Sequence, residues 1–87
     1  MGQNKLYPVF LKLDSLQTLL VGGGNVGFEK LNALLSNCPD ARVTVVADYI
    51  CNEIQDMAQK SSNIKLLKRK FFTSDLDYAD ILILATN

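Results

Sequence analysis

The stretch that most constrains the fold is residues 19–27, where an apolar Leu-Leu-Val run leads into Gly-Gly-Gly-Asn-Val-Gly. Gly22, Gly24 and Gly27 have the spacing G-x-G-x-x-G. In a dinucleotide-binding turn, such glycines let the backbone turn tightly, approach a pyrophosphate and pack a helix on a strand. Glycine-rich turns also occur for conformational reasons alone, so the motif needs a buried strand before it and a helix after it.

Both requirements are predicted from the flanking residues. Residues 16–21 are nearly all apolar, which is typical of a strand buried on both faces of a parallel sheet. From Asn25 the apolar residues recur at helical spacing, and this helix is predicted to end around Asn37, before Pro39. Free N–H groups of the first helical turn would then converge outside the carboxyl end of the strand, where they can bind a phosphate.

The rest of the chain repeats this order of strand and helix. The further elements predicted are strands at 42–47, 64–67 and 80–85, a helix with Ile50, Ile54, Met57 and Ala58 on its apolar face, and a short helix over 73–77 with Ser74 and Asp77 at capping-box spacing. Before them, residues 6–13 contain Pro8 and fit an edge strand or an extended arm. Because parallel strands need crossover helices, we predict an α/β fold, a Rossmann-like three-layer domain with a parallel sheet over residues 1–87.

Charge and composition exclude several classes of function. Nine Lys and Arg balance nine Asp and Glu, so no net charge attracts nucleic acid. Histidine is absent and Cys38 and Cys51 lack metal-ligand spacing, so we predict no metal site and interpret both cysteines as reduced packing residues. No signal peptide or apolar run of membrane-spanning length is present, which predicts a cytoplasmic protein without a membrane partner.

Asp48 follows the second predicted strand, where a dinucleotide-binding fold places an acidic residue for the adenine ribose. Its carboxylate would repel a 2′-phosphate, which favours NAD over NADP. An aspartate shortly before Ile50 can equally cap the second helix. The sequence leaves ribose binding and capping open.

Two further groups of residues have an ordinary structural interpretation and a functional alternative. The basic residues Lys65, Lys68, Arg69 and Lys70 fit an exposed edge of the third strand, and a site for an acidic substrate is the alternative. The tyrosines Tyr7, Tyr49 and Tyr78 are interpreted as packing residues rather than catalysts.

The motifs together resemble a known family. Residues 8–13 and 20–27, with Lys30 and the pair Leu34-Leu35, resemble the opening of the sirohaem synthase N-terminal domain, a precorrin-2 dehydrogenase. Residues 41–47 and the terminal Ala85-Thr86 are also similar to it, so the resemblance spans nearly the whole chain.

The resemblance implies NAD-dependent oxidation of precorrin-2, a tetrapyrrole, to sirohydrochlorin in a homodimer, with iron insertion as a second activity in some members. The cofactor residues that it and the glycine motif imply are Gly22, Gly23, Gly24, Asn25, Val26, Gly27, Asp48, Tyr49 and Thr86. Among them, Asn25 and Val26 would meet the phosphates, Asp48 and Tyr49 the adenosine, and Thr86 the nicotinamide.

The chain departs from the family in three respects. The family often has proline at the position of Asp48 and aspartate at that of Asn87. Its catalytic aspartate and its dimerisation and helical regions correspond to sequence beyond Asn87, so we expect the sheet to be incomplete at its C-terminal end and the catalytic residue to be absent. A regulatory NAD-binding module of the potassium-transport type is the alternative function, but such modules usually begin at the first core strand and lack the arm at residues 8–13.

Overall fold

The computed structural model describes residues 15–85, so the predicted arm at residues 6–13 lies outside the described part. The elements in chain order are β1 (Gln17–Val21), α1 (Asn25–Asn37), β2 (Arg42–Ala47), α2 (Asn52–Lys60), β3 (Ile64–Lys68), a 3₁₀ helix (Thr73–Tyr78) and β4 (Ile81–Leu84). These bounds agree with the predicted elements to within about two residues.

The four strands form one parallel sheet in the order β3-β2-β1-β4. Gln17 to Val21 of β1 stand beside Arg42 to Val46 of β2, and Thr18 to Val21 stand beside Ile81 to Leu84 of β4. β2 and β4 therefore lie on opposite sides of β1, so the order of the strands reverses at β1. Such a reversal of strand order is where open α/β sheets bind ligands, outside the carboxyl ends of the strands. The predicted α/β Rossmann-like fold is confirmed.

The core lies between one face of the sheet and the two α-helices. Strand side chains alternate between faces, and Leu20 and Val45 share the face that packs on Leu31 of α1 and Ile54 of α2. All four are fully buried. Burial of a side chain of this size contributes about 1.5–3 kcal/mol, so these contacts fix α1 and α2 on the sheet.

The crossover from β3 to β4 passes over the opposite face of the sheet. Its 3₁₀ helix covers a cleft of about 460 Å³ whose lining includes Leu19, Thr44 and Tyr78. Toward the β4 edge of the same face, Leu82 and Leu84 are exposed. The described part of the chain therefore covers one face of the sheet with helices and the other only partly.

Two local predictions are wrong. Ile50 precedes α2 instead of belonging to it, although it is buried in the core. The 3₁₀ helix is capped by Phe72 and Asp75, not by Ser74 and Asp77: the Phe72 N–H donates to Asp75 Oδ2 (2.9 Å) and the Asp75 N–H to the Phe72 carbonyl oxygen (2.8 Å). The Asp75 carboxylate also pairs with Arg69 (Nη2 to Oδ1, 2.7 Å).

The interpretation of the tyrosines as packing residues is also wrong where it can be examined. Tyr49 is 67% exposed and Tyr78 is 83% exposed, whereas Tyr7 lies outside the described residues. Both exposed tyrosines lie outside the strands and α-helices that form the core.

The cysteines are packing residues, since Cys51 is buried in the core and Cys38 packs against it. Among residues 15–85, no helix is long and apolar enough to cross a membrane.

Candidate functional site

The glycine turn between β1 and α1 lies at the carboxyl edge of the sheet and is enclosed on two sides. The Gly22 N–H donates to the Val46 carbonyl oxygen at the end of β2 (3.1 Å). Gly22 has φ +129°, a backbone conformation that side chains rarely permit, and a Cβ there would overlap the carbonyl oxygen of Ala85 beyond β4. Gly22, the first glycine of the motif, is therefore required by its positive φ and by the close approach of the Ala85 carbonyl oxygen.

Gly23, which is a variable position of the motif, is as constrained as Gly22. A Cβ at Gly23 would overlap the carbonyl oxygen of Tyr49. The Gly23 carbonyl oxygen also accepts a hydrogen bond from the Cys51 N–H (2.7 Å). Gly23 thus joins the turn to the loop between β2 and α2. The sequence predicted a cofactor contact at Gly23. The only sequence signal for its contact with the loop after β2 is that glycine fills a variable position of the motif, which makes three glycines in a row.

The amino end of α1 is open to an anion. Gly24 is the N-cap residue and no side chain of the described residues caps the helix. The first intrahelical bond runs from the Phe28 N–H to the Gly24 carbonyl oxygen (2.9 Å), so the N–H groups of Asn25, Val26 and Gly27 precede the helical ladder. Three free donors and the positive end of the helix dipole suit a pyrophosphate, and these residues fit the phosphates of a dinucleotide.

A cleft of about 390 Å³ adjoins the turn at the same edge of the sheet. It is lined by Val21, Gly22, Val46, Ala47, Asp48, Lys70 and Phe71. Asp48 and its neighbour Tyr49 are exposed, and Asp48 stands one residue after β2. The larger cleft under the 3₁₀ helix is not lined by the glycine turn, whereas the smaller cleft is lined by Gly22 and Asp48, so the smaller cleft is the candidate site.

The structure excludes one of the two interpretations of Asp48, that it caps α2. The N-cap residue of α2 is Cys51, and no described side chain makes a cap hydrogen bond to that helix. Capping by Asp48 is therefore wrong, because the chain continues through Tyr49 and Ile50 before α2 begins. Asp48 instead lines the cleft beside the glycine turn.

The structure thus brings the turn, the start of α1 and Asp48 together at one edge of the sheet. Thr86, predicted beside the nicotinamide, lies outside the described residues. Lys70 and Phe71 form part of the cleft, although the sequence indicated no cofactor role for either. No local pattern could have identified them, since β3 and β1 are separated by β2.

The basic cluster has more than one structural role. Lys65 and Lys68 are exposed on β3, which is an edge strand as predicted. Arg69 instead forms a two-pronged ion pair with Asp75, Nη2 to Oδ1 at 2.7 Å and Nη1 to Oδ2 at 3.0 Å. Among residues 15–85, no group of three or more His, Cys, Asp or Glu side chains could hold a metal ion.

The ion pair shifts the titration of both partners. The hydrogen bond from Arg69, followed by that from the Phe72 N–H, lowers the pKa of Asp75 to about 2. The same bond raises the pKa of Arg69 above its usual value. Both groups remain charged from the acid range upward.

We expect this carboxylate to make stability depend on pH in the acid range. An unfolded aspartate has a pKa of about 3.9, so the ion pair contributes its full stability above about pH 4 and loses it as the pH falls toward 2. Asp75→Asn should therefore reduce the fall in the free energy of unfolding over this range, measured by urea denaturation. Asp77→Asn, on the same 3₁₀ helix, is the control. Equal pH slopes in the wild type and Asp75→Asn would contradict the expectation.

A family model described as NAD(P)-binding matches residues 9–87. Two siroheme synthases are among the similar curated proteins: that of Thioalkalivibrio sulfidiphilus is 36% identical over 93% of this chain, and that of Pseudoalteromonas atlantica is 32% identical over 93%. The chain spans only 16% and 17% of the lengths of these two relatives.

A solved structure shows the same fold. SirC, a precorrin-2 dehydrogenase, superposes with a TM-score of 0.81 and 29% sequence identity. The superposition covers 94% of this chain and 40% of the SirC chain. Similarity in sequence and in structure therefore covers nearly the whole of this chain and a minor part of each relative.

Proposed function

Because the chain belongs to this NAD(P)-binding family of siroheme synthase N-terminal domains, we propose that it supplies the NAD site of a precorrin-2 dehydrogenase. The observation that carries the proposal is the uncapped amino end of α1, which opens at the reversal of strand order beside the cleft with Asp48. A phosphate site and an acidic residue in this arrangement suit a dinucleotide.

In the proposed complex the chain binds and orients the cofactor. The N–H groups of Asn25, Val26 and Gly27 hold the pyrophosphate, with the backbone of Gly22, Gly23 and Gly24 approaching it closely. Asp48 accepts hydrogen bonds from the adenine ribose, and Tyr49 lies along the adenosine. Such contacts depend mainly on backbone donors, so the site needs no basic side chain in the turn.

NAD held by the glycine turn and the start of α1 would supply the hydride acceptor for the oxidation of precorrin-2 to sirohydrochlorin. The protein's contribution to such chemistry is orientation and electrostatics. A contact of Thr86 with the nicotinamide stays a prediction. So do iron insertion, a homodimer and a cytoplasmic location for the enzyme. The relatives named above are biosynthetic enzymes, which supports this proposal over a regulatory module of the potassium-transport type.

Isothermal titration calorimetry of the full chain with NAD tests the proposal. We expect one NAD per chain, bound more tightly than NADP, because the carboxylate of Asp48 repels a 2′-phosphate. ADP-ribose should compete with NAD, since the described contacts involve the pyrophosphate and adenosine. Absence of NAD binding at millimolar concentration would contradict the proposed function.

A further inference from the structure

The segment that joins β3 to the 3₁₀ helix is held by a compact set of contacts around Arg69. Besides its ion pair with Asp75, the Arg69 guanidinium donates from Nη1 to the Lys70 carbonyl oxygen (2.9 Å). Its carbon Cζ lies 5.1 Å from the centroid of the Phe72 ring, within the range of a cation–π contact. Asp75 in turn accepts from the Phe72 N–H (2.9 Å).

These contacts fix the chain on both sides of Phe71. Arg69 binds the backbone of Lys70, the residue before it, while Arg69 and Asp75 together bind Phe72, the residue after it. The side chain of Asp75 is only 12% exposed and that of Arg69 is 37% exposed, so the pair is partly shielded from water. A two-pronged arginine–carboxylate pair also fixes direction, which a single contact does not.

Two residues of this segment, Lys70 and Phe71, form part of the cleft beside the glycine turn. Lys70 and Phe71 line it together with Gly22 and Asp48. Since Gly22 and Asp48 come from the ends of β1 and β2, the segment after β3 supplies the remaining wall. Neither Arg69 nor Asp75 lines this cleft, so any influence of the pair on its contents passes through the segment.

We propose that Arg69 and Asp75 are positioning residues for the adenosine end of the cofactor, because they hold Lys70 and Phe71 as one wall of the cleft that contains Asp48. This inference rests on the proposed function. It adds a wall from the segment after β3, and the rest of the site is built from the glycine turn and the end of β2. Loss of either partner leaves the segment free to move, so binding must then order it at an entropic cost.

The test measures the affinity of the full chain for NAD and for ADP-ribose, by calorimetry well below the melting temperature. Arg69→Met and Asp75→Asn should each weaken both ligands about fivefold to tenfold, and the double variant no more than either single variant, because the partners act as a unit. Arg69→Lys, which keeps the charge but loses the two-pronged geometry, should recover part of the affinity. Lys65→Met, which removes an exposed charge from β3, should stay within about twofold of the wild type.

The outcomes separate this inference from the proposed function. If the wild type binds no NAD, the proposed function is wrong and the inference fails with it. If folded Arg69→Met and Asp75→Asn bind both ligands as the wild type does, only the inference is overturned, and the pair merely stabilises the fold. If neither variant folds, Phe71→Ala decides, since it removes wall atoms and leaves the pair intact: unchanged NAD affinity would overturn the inference and weakened affinity would support it.

Discussion

Gly23→Ala should destabilise the domain by about 3 kcal/mol or more, which lowers its melting temperature by at least about 12 °C. The new methyl group would overlap the carbonyl oxygen of Tyr49, and the neighbour that must move is backbone. Moving it would also break the hydrogen bond from the Cys51 N–H to the Gly23 carbonyl oxygen (2.7 Å). Thermal and urea denaturation followed by circular dichroism measure the loss.

Gly24→Ala is the matched control for this substitution. Gly24 has φ −91° and ψ −154°, an extended conformation that other residues adopt, so the change should alter the free energy of unfolding by less than about 1 kcal/mol. The added methyl group stands at the start of α1, where the pyrophosphate is proposed to lie, so NAD affinity should fall about tenfold or more. A folded Gly23→Ala variant of normal stability would contradict the structural role of Gly23. Unchanged NAD affinity in Gly24→Ala would contradict the placement of the pyrophosphate.

Asp48→Ala should reverse the preference between the two nicotinamide dinucleotides. Loss of the carboxylate removes hydrogen bonds to the ribose, and a bond to a charged group is worth about 1.5–3 kcal/mol, so NAD should bind at least about tenfold more weakly. NADP should bind more tightly, because the repulsion of its 2′-phosphate is lost while Lys70 remains in the same cleft. Calorimetric titration with each cofactor measures the ratio of affinities.

Two further variants identify the source of the change. Adding Lys70→Met to Asp48→Ala should abolish the gain in NADP affinity. Asp40→Ala removes an equal charge from the turn before β2, at the amino ends of the strands and away from the candidate site. It should leave both affinities unchanged. Equal NAD affinity before and after Asp48→Ala would show that the carboxylate does not contact the ribose.

The sequence predicted the features that depend on neighbouring residues. An apolar run, a glycine turn and apolar residues at helical spacing identify β1, the turn and α1 without knowledge of the rest of the chain. Alternation of strands and helices then predicts a parallel sheet, because a tight turn cannot connect parallel neighbours. The predicted family and the predicted nucleotide cofactor class are confirmed by the comparisons.

Contacts between residues distant in the chain could not be predicted in this way. Three such contacts follow from the sheet order β3-β2-β1-β4. Gly23 lies against the loop after β2, Asp48 lies in a cleft instead of capping α2, and Phe71 lines the same cleft. Periodicity records which face of an element is apolar, whereas the site is formed where the ends of three strands meet. By itself the sequence determined the strands, the helices and the glycine turn between β1 and α1. Only the tertiary structure decided which residues surround that turn, because their proximity depends on the order of the strands in the sheet.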